Sequence, residues 1–114
     1  MSECIFCEII NRTAPAQILY QDENITAFRD IHPVAPTHAL LVPNKHISSV
    51  NDVTAEDEPI MGQLFTTARM LAEGEGIDQD GYRLIVNTGR HGNQDVFHLH
   101  MHLIGGQPMR HPIG

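Results

Sequence analysis

The sequence predicts an α+β fold: an antiparallel sheet of about five strands, one main helix packed across one face, and a short helix at the N-terminal end. Three observations carry this prediction. Short apolar runs of strand length recur along the chain, each closed by turn residues. One long stretch alone has apolar residues at helical spacing. No repeat or low-complexity tract is present, and 114 residues with 41% hydrophobic content make a single domain, residues 1–114, with a modest aliphatic core.

The elements follow in order. Residues 4–12 read as a short helix with Ile5, Phe6, Ile9 and Ile10 on its inner face, broken by Thr13-Ala14-Pro15. Residues 17–21 and 24–30 are strand-like, and Asp22-Glu23-Asn24 between them is turn chemistry, so they form a hairpin. The stretch from Asp30 to His38 holds two closely spaced prolines, Pro33 and Pro36, and must be a stiff extended loop. Residues 38–43 are a continuous apolar run ending at Pro43, hence a central strand, with His46 in the turn after it.

Thr54-Ala55-Glu56-Asp57 resembles a capping box. Pro59 has no N–H to give a helix beginning as early as Thr54, so the regular helix starts near Asp57. Its stripe is Ile60, Leu64, Ala68, Leu71 and Ala72, and Gly74 and Gly76 mark its end. Met61, Phe65 and Met70 are read as helix packing. Residues 82–87 are a further strand, and the polar loop 88–94 leads into the last one.

That last run, Phe97-His98-Leu99-His100-Met101-His102-Leu103-Ile104-Gly105-Gly106, is the informative stretch. Its alternation puts Val96, His98, His100 and His102 on one face and Phe97, Leu99, Met101 and Leu103 on the other. The apolar face gives the strand a reason to be buried on that side. The imidazoles then project together from the opposite face, about 7 Å from one to the next by strand rise. Lining up imidazoles suits metal ligation, or nucleophilic and acid–base chemistry near neutral pH. Gly105-Gly106 ends the strand and permits close backbone approach.

Composition excludes several functions. A formal charge of -7 with Lys45 as the only lysine argues against neutralising nucleic-acid phosphates. Met1-Ser2-Glu3-Cys4 opens with no basic segment or long apolar run, so the expectation is a cytoplasmic protein with no membrane partner. The two cysteines, Cys4 and Cys7, form a Cys-x-x-Cys pair. In a reducing compartment a disulfide is not expected, and a thioredoxin-like pair would follow a strand. Metal ligation is the better reading, with a pair of small buried hydrophobes as the alternative. Cys-x-x-Cys alone supplies only half of a tetrahedral site.

The run from His98 to Ile104 resembles the seven-residue signature of the histidine-triad superfamily, and the similarity extends from Cys4 to Gly106. Within it the chain is similar to the Hint branch, the purine nucleoside phosphoramidases. The blocks that carry this are Ile5-Phe6 with Ile9-Ile10, Ala27-Phe28-Arg29-Asp30-Ile31, Pro33 to His38, Gly81-Tyr82-Arg83-Leu84, and Asn87 to Gly92. The resemblance implies a homodimeric hydrolase that cleaves purine nucleoside phosphoramidates and releases a nucleoside monophosphate. It implies that His100 is the nucleophile carrying the nucleotidyl group, that His102 contacts the phosphoryl oxygens, and that His38 supports the network. It further implies that Asp30 receives the ribose hydroxyls, with Phe6, Ile9, Phe28 and Ile31 around the base, while Asn87, Asn93, Gln94 and Asp95 line ribose and phosphate. Some relatives place zinc on a Cys-x-x-Cys, a turn histidine and the first triad histidine, which here are Cys4, Cys7, His46 and His98, a Cys2His2 set of structural type.

Two departures from the family stand out. Asp95 occupies a position where many animal members carry serine, and a carboxylate beside a phosphate is repulsive unless protonated or aimed at a cationic amine. Asn93 replaces a glycine common in the loop. The competing readings are a dinucleoside-polyphosphate hydrolase of the same superfamily, a non-catalytic purine-nucleotide-binding module, and a metal-handling protein using His98, His100 and His102 together. Alternate strand residues sit too far apart for the last. His32, His91 and His111 are read as solvated.

Overall fold

The computed structural model describes residues 4–112. In chain order they form α1 (Ile5–Ile10), β1 (Ile18–Gln21), β2 (Ile25–Arg29), β3 (Thr37–Pro43), α2 (Glu58–Gly74), β4 (Tyr82–Ile85) and β5 (Met101–Gly105). The strands make one antiparallel sheet in the order β1-β2-β3-β5-β4. The expected α+β architecture is the observed one.

Side-chain alternation divides the sheet into two faces. Ala27, Ala39, Leu41, Met101 and Leu103 point to one side, where Leu64, Ala68 and Ala72 of α2 close the main core. Phe28, Leu40 and Val42 point to the other and meet Phe6 and Ile9 of α1. The histidine side of the segment leading into β5 is therefore covered, not open: His98 and His100 are only 0% and 2% exposed.

Local chemistry explains the ends of α2. The Asp57 carboxylate accepts from the Thr54 backbone N–H at 3.0 Å and takes the Lys45 ammonium at 2.7 Å, while a short 3₁₀ turn precedes the helix as the proline required. At the other end Gly76, at φ 74°, lets its own N–H reach the Glu73 carbonyl and that of Ile77 reach Ala72, a Schellman closure. Glu75 then receives both guanidinium nitrogens of Arg29, at 2.7 and 3.0 Å, and the Thr37 hydroxyl at 3.2 Å, locking the helix end to the sheet. Gly105 and Gly106 serve close packing: an added Cβ would lie 2.6 Å from Ile77 and 2.9 Å from Pro36 respectively.

Four expectations need correction. The last strand begins only at Met101, because opposite Leu99 the register reaches Pro43, which has no N–H for the ladder; Leu99 donates instead to the Ile47 carbonyl at 2.7 Å. With the β5 ladder starting so late, β4 stops at Ile85 instead of running to Asn87. The chain bends at 96–98, so Phe97 is exposed while Leu99, Met101 and Leu103 keep the buried face. Ile5 faces outward from α1, and Phe65 and Met70 lie on the outer side of α2, whereas Met61 packs on the core.

Candidate active site

The middle histidine of the triad is fixed by its own chain. His100 Nδ1 lies 2.8 Å from the His98 carbonyl, and a carbonyl can only accept, so the ring proton of a neutral His100 sits on Nδ1. Nε2 is left with its lone pair. Phe6 meets the ring edge-on at a centroid distance of 5.1 Å, and His102 stands 5.1 Å away. Asp95 Oδ1 lies 3.6 Å from Nε2 on a side chain that is 81% exposed.

The third histidine is oriented by a relay. The Val34 backbone N–H donates to His38 Nδ1 at 3.2 Å, so neutral His38 carries its proton on Nε2. His38 Nε2–H donates to His102 Nδ1 at 2.9 Å, which leaves the His102 proton on Nε2. Asp30 Oδ2, 3.4 Å from His38 Nε2, reinforces that orientation, and Asp30 Oδ1 accepts from the His32 N–H at 2.8 Å. Two adjacent imidazoles thus present opposite chemistry: a lone pair at His100 and an N–H at His102.

Burial, assisted by the neighbouring His100 and His38, pushes the His102 pKa from 6.5 down to about 4, and burial lowers His38 against the pull of Asp30. Between those His102 values the unfolded chain binds the proton that the folded chain refuses, so this contribution to stability is complete above about pH 6.5 and is lost as pH falls toward 4. The thermal midpoint is expected to drop over that interval, and less steeply in His102→Asn. An identical slope in the variant would assign the acid sensitivity elsewhere.

These groups stand on one wall of a cleft of about 340 Å³. Phe6, Ile9, Phe28, Asp30, Ile31, Asp95, His100 and His102 line it, so most of the residues named from the sequence converge. Phe28 and Phe6 meet edge-on at 5.3 Å and form its apolar end.

Four of the named residues are placed differently. His38 lies behind His102, off the cleft wall. Gln94 is buried and its side chain is spent on the loop: it accepts from the Gly89 N–H and donates to the Ser48 and Val96 carbonyls, so it shapes the wall without lining it. Asn93 takes φ 61°, a conformation asparagine tolerates best among residues other than glycine, and thereby keeps the loop path that glycine would give; its side chain is off the lining. Asn87 follows β4, where the Ile85–His102 register continued by two residues lies opposite His100. The sequence reading missed Ala14, Pro15, Ala16 and Leu40 on the lining. The helix-breaking Ala-Pro-Ala run was the available signal, since small residues leave room.

A second cluster adjoins the cleft. The ligand atoms of Cys4, Cys7, His46 and His98 lie within 4.8 Å of one another, close enough to hold a metal ion. Separations are 3.3 Å for Cys4 Sγ to His98 Nδ1, 3.4 Å for Cys7 Sγ to His46 Nδ1, 3.6 Å for Cys7 Sγ to His98 Nδ1, and 3.1 Å between the two Nδ1 atoms. Bonds of about 2.3 Å to sulfur and about 2.0 Å to nitrogen around a tetrahedral ion give spacings of roughly 3.3–3.8 Å; the three sulfur–nitrogen separations lie in that range and the nitrogen pair is slightly closer, so the donor set is of the right kind and within reach of one ion. His98 Nε2–H donates to the Pro43 carbonyl at 2.8 Å, which leaves Nδ1 as the ligating nitrogen.

A five-stranded antiparallel sheet ending in His-x-His-x-His, with a poised imidazole over a cleft, defines a histidine-triad domain. The HIT domain family matches residues 11–109, and the chain belongs to that family. It is 58% identical over 107 residues to the purine nucleoside phosphoramidase of Escherichia coli (strain K12), covering 94% of this chain and 90% of that protein. Among solved structures it resembles a HIT family hydrolase from Legionella pneumophila (TM-score 0.94, 45% identity, 98% of this chain and 100% of that one). A HIT family hydrolase from Clostridium thermocellum is similarly close (TM-score 0.95, 42% identity, 99% and 98%).

Proposed function

We propose that this chain is a hydrolase that cleaves the P–N bond of purine nucleoside phosphoramidates through a nucleotidyl-histidine intermediate on His100. The observation that carries the reading is the His100 Nδ1–H held on the His98 carbonyl, which leaves Nε2 as a fixed nucleophile on the cleft wall. The Nε2 lone pair attacks phosphorus and the P–N bond to the amine breaks, its electron pair leaving with the amine, which takes a proton from water at the open rim. Water then attacks phosphorus, the P–Nε2 pair returns to His100, and the water proton returns to solvent. His102 Nε2–H donates to a phosphoryl oxygen throughout, and its low pKa keeps it a neutral donor at pH 7. With adenosine 5′-phosphoramidates of simple amines, rapid-quench kinetics should show amine released ahead of AMP. Failure to release amine at all would end this reading.

Asp30 is the ribose-binding group in this scheme, since a carboxylate accepts from two vicinal hydroxyls at once. Asp30→Ala is expected to weaken AMP binding by roughly tenfold to a hundredfold, the worth of hydrogen bonds to a charged group. Binding of the 2′,3′-dideoxy analogue should change far less. Equal losses for the two ligands, measured by calorimetry, would make Asp30 a structural residue only.

The metal is read as zinc, one per chain, held by Cys4, Cys7, His46 and His98. Four protein ligands leave no open position, so the ion would supply folding energy and not activate water. The reading includes a cytoplasmic homodimer. Support for the dimer is the place of β4 at the end of the strand order and the exposed Phe65 and Met70, surfaces a second copy would cover; sedimentation analysis tests it. Among the described residues no helix is long and apolar enough to cross a membrane.

A further inference from the structure

The cleft beside His100 is not the only depression that Asp95 borders. A second, open one is lined by Phe97 and by Cys4, Cys7 and His46, three of the four residues of the metal set, and the two share Ile5, Asp95 and Val96. Asp95 therefore stands on the ridge between them, 3.6 Å from the nucleophilic nitrogen, and is the most exposed charged group facing it.

Its charge is out of place for a site that takes only a phosphate. The cleft lining contains no lysine, and its one guanidinium, Arg29, is held bidentate by Glu75. The chain's single lysine is engaged with Asp57. Apart from imidazoles the cleft wall offers Asp95 no cationic partner, so a phosphoryl group arriving at Nε2 meets a carboxylate that no lysine or free guanidinium neutralises. The repulsion turns into attraction if the substrate brings a cation of its own. A purine nucleoside has none, so the cation must reside on the leaving amine, whose nitrogen sits one phosphorus atom away from Nε2 in an in-line displacement.

We propose that Asp95 determines leaving-group specificity, selecting phosphoramidates whose amine carries a second, protonated nitrogen. Such substrates are those of diamines, polyamines and basic side chains. This inference rests on the phosphoramidase reading and deepens it. The amine extends over the Asp95 ridge into the open depression, where the carboxylate attracts its distal ammonium while Nε2 forms its bond to phosphorus and the P–N electron pair departs with the amine. Hydrolysis of the nucleotidyl-His100 intermediate follows without the amine, so selectivity belongs to the first step alone.

The test compares adenosine 5′-phosphoramidates of butylamine and of 1,4-diaminobutane, nearly isosteric amides that differ by one terminal ammonium. The wild-type protein should favour the diaminobutane amide in kcat/KM by roughly three- to fivefold, the worth of an exposed ion pair, and half-molar salt should erase the preference. In Asp95→Asn the ratio should fall to about one, and in Asp95→Lys it should invert, through the same contact. The rate of AMP release from the preformed intermediate should not depend on which amide made it. Equal losses for both amides in Asp95→Asn, or an unchanged ratio, would make Asp95 a positioning residue for His100 and overturn the proposal. Hydrolysis of both amides without charge preference in the wild type overturns the Asp95 assignment alone. Failure to hydrolyse either overturns the phosphoramidase reading, and this inference with it.

Discussion

His100→Ala is expected to lower multiple-turnover hydrolysis of an adenosine phosphoramidate by at least about three orders of magnitude, because the nucleotidyl group then has no nitrogen to occupy. His102 cannot take over, since its relay from His38 leaves a proton on Nε2 and presents N–H where a lone pair is needed. AMP affinity should change little, as the apolar walls at Phe6, Ile9 and Phe28 and the carboxylate of Asp30 remain in place. The measurement is steady-state turnover alongside equilibrium AMP binding. Substantial turnover by His100→Ala would refute the covalent mechanism, whereas loss of both turnover and binding would point to a collapsed cleft. His100→Asn serves as the second variant, because its smaller polar side chain avoids an apolar hole beside Phe6.

The second large effect concerns the Cys2His2 cluster. If the proposed zinc occupies it, Cys4→Ser or Cys7→Ser is expected to remove the ion and lower the thermal midpoint by about 10 °C or more, since ligation contributes folding free energy directly and about 1 kcal/mol shifts a domain of this size by several degrees. The loss should not stop at stability. Phe6 lies between the two cysteines and meets His98 and His100 edge-on at 6.0 and 5.1 Å, so releasing the N-terminal segment should loosen both the cleft wall and the packing of His100. His98 contributes twice, by its ring Nδ1 to the metal set and by its carbonyl to the His100 proton. Chelation of the wild-type protein should reproduce the variants' melting behaviour and leave the variants themselves unmoved. Elemental analysis decides the matter: less than about 0.2 zinc per chain after purification without chelator, unrestored by added zinc, would remove the site from the molecule.

The alternation around His98, His100 and His102 determined which residues share a face, because a two-residue period depends only on extended backbone. The stripe on α2 and its two ends were equally legible, since Pro59, the Thr54–Asp57 box and Gly76 act within a turn or two of themselves. The Cys-x-x-Cys spacing marked Cys4 and Cys7 as half of a metal site, but His46 and His98 were joined to them only through resemblance to relatives, since no local rule links positions so far apart in the chain. What the sequence left undecided depends on contacts between distant segments. The late start of β5 follows from Pro43 facing Leu99 across the sheet. The covering of the histidine face follows from α1 folding over it, and an amphipathic pattern says which side is apolar without saying what will lie on the polar one. Gln94 looked like a ligand-facing amide by its place in the motif, yet three backbone groups brought together by folding claim it. The proton positions on the imidazoles were not legible in the sequence either, although two of the partners that set them are local. His100 and His38 take theirs from backbone groups two and four residues away, and His102 from His38 on a neighbouring strand, and only the folded geometry decides which ring nitrogen meets which partner.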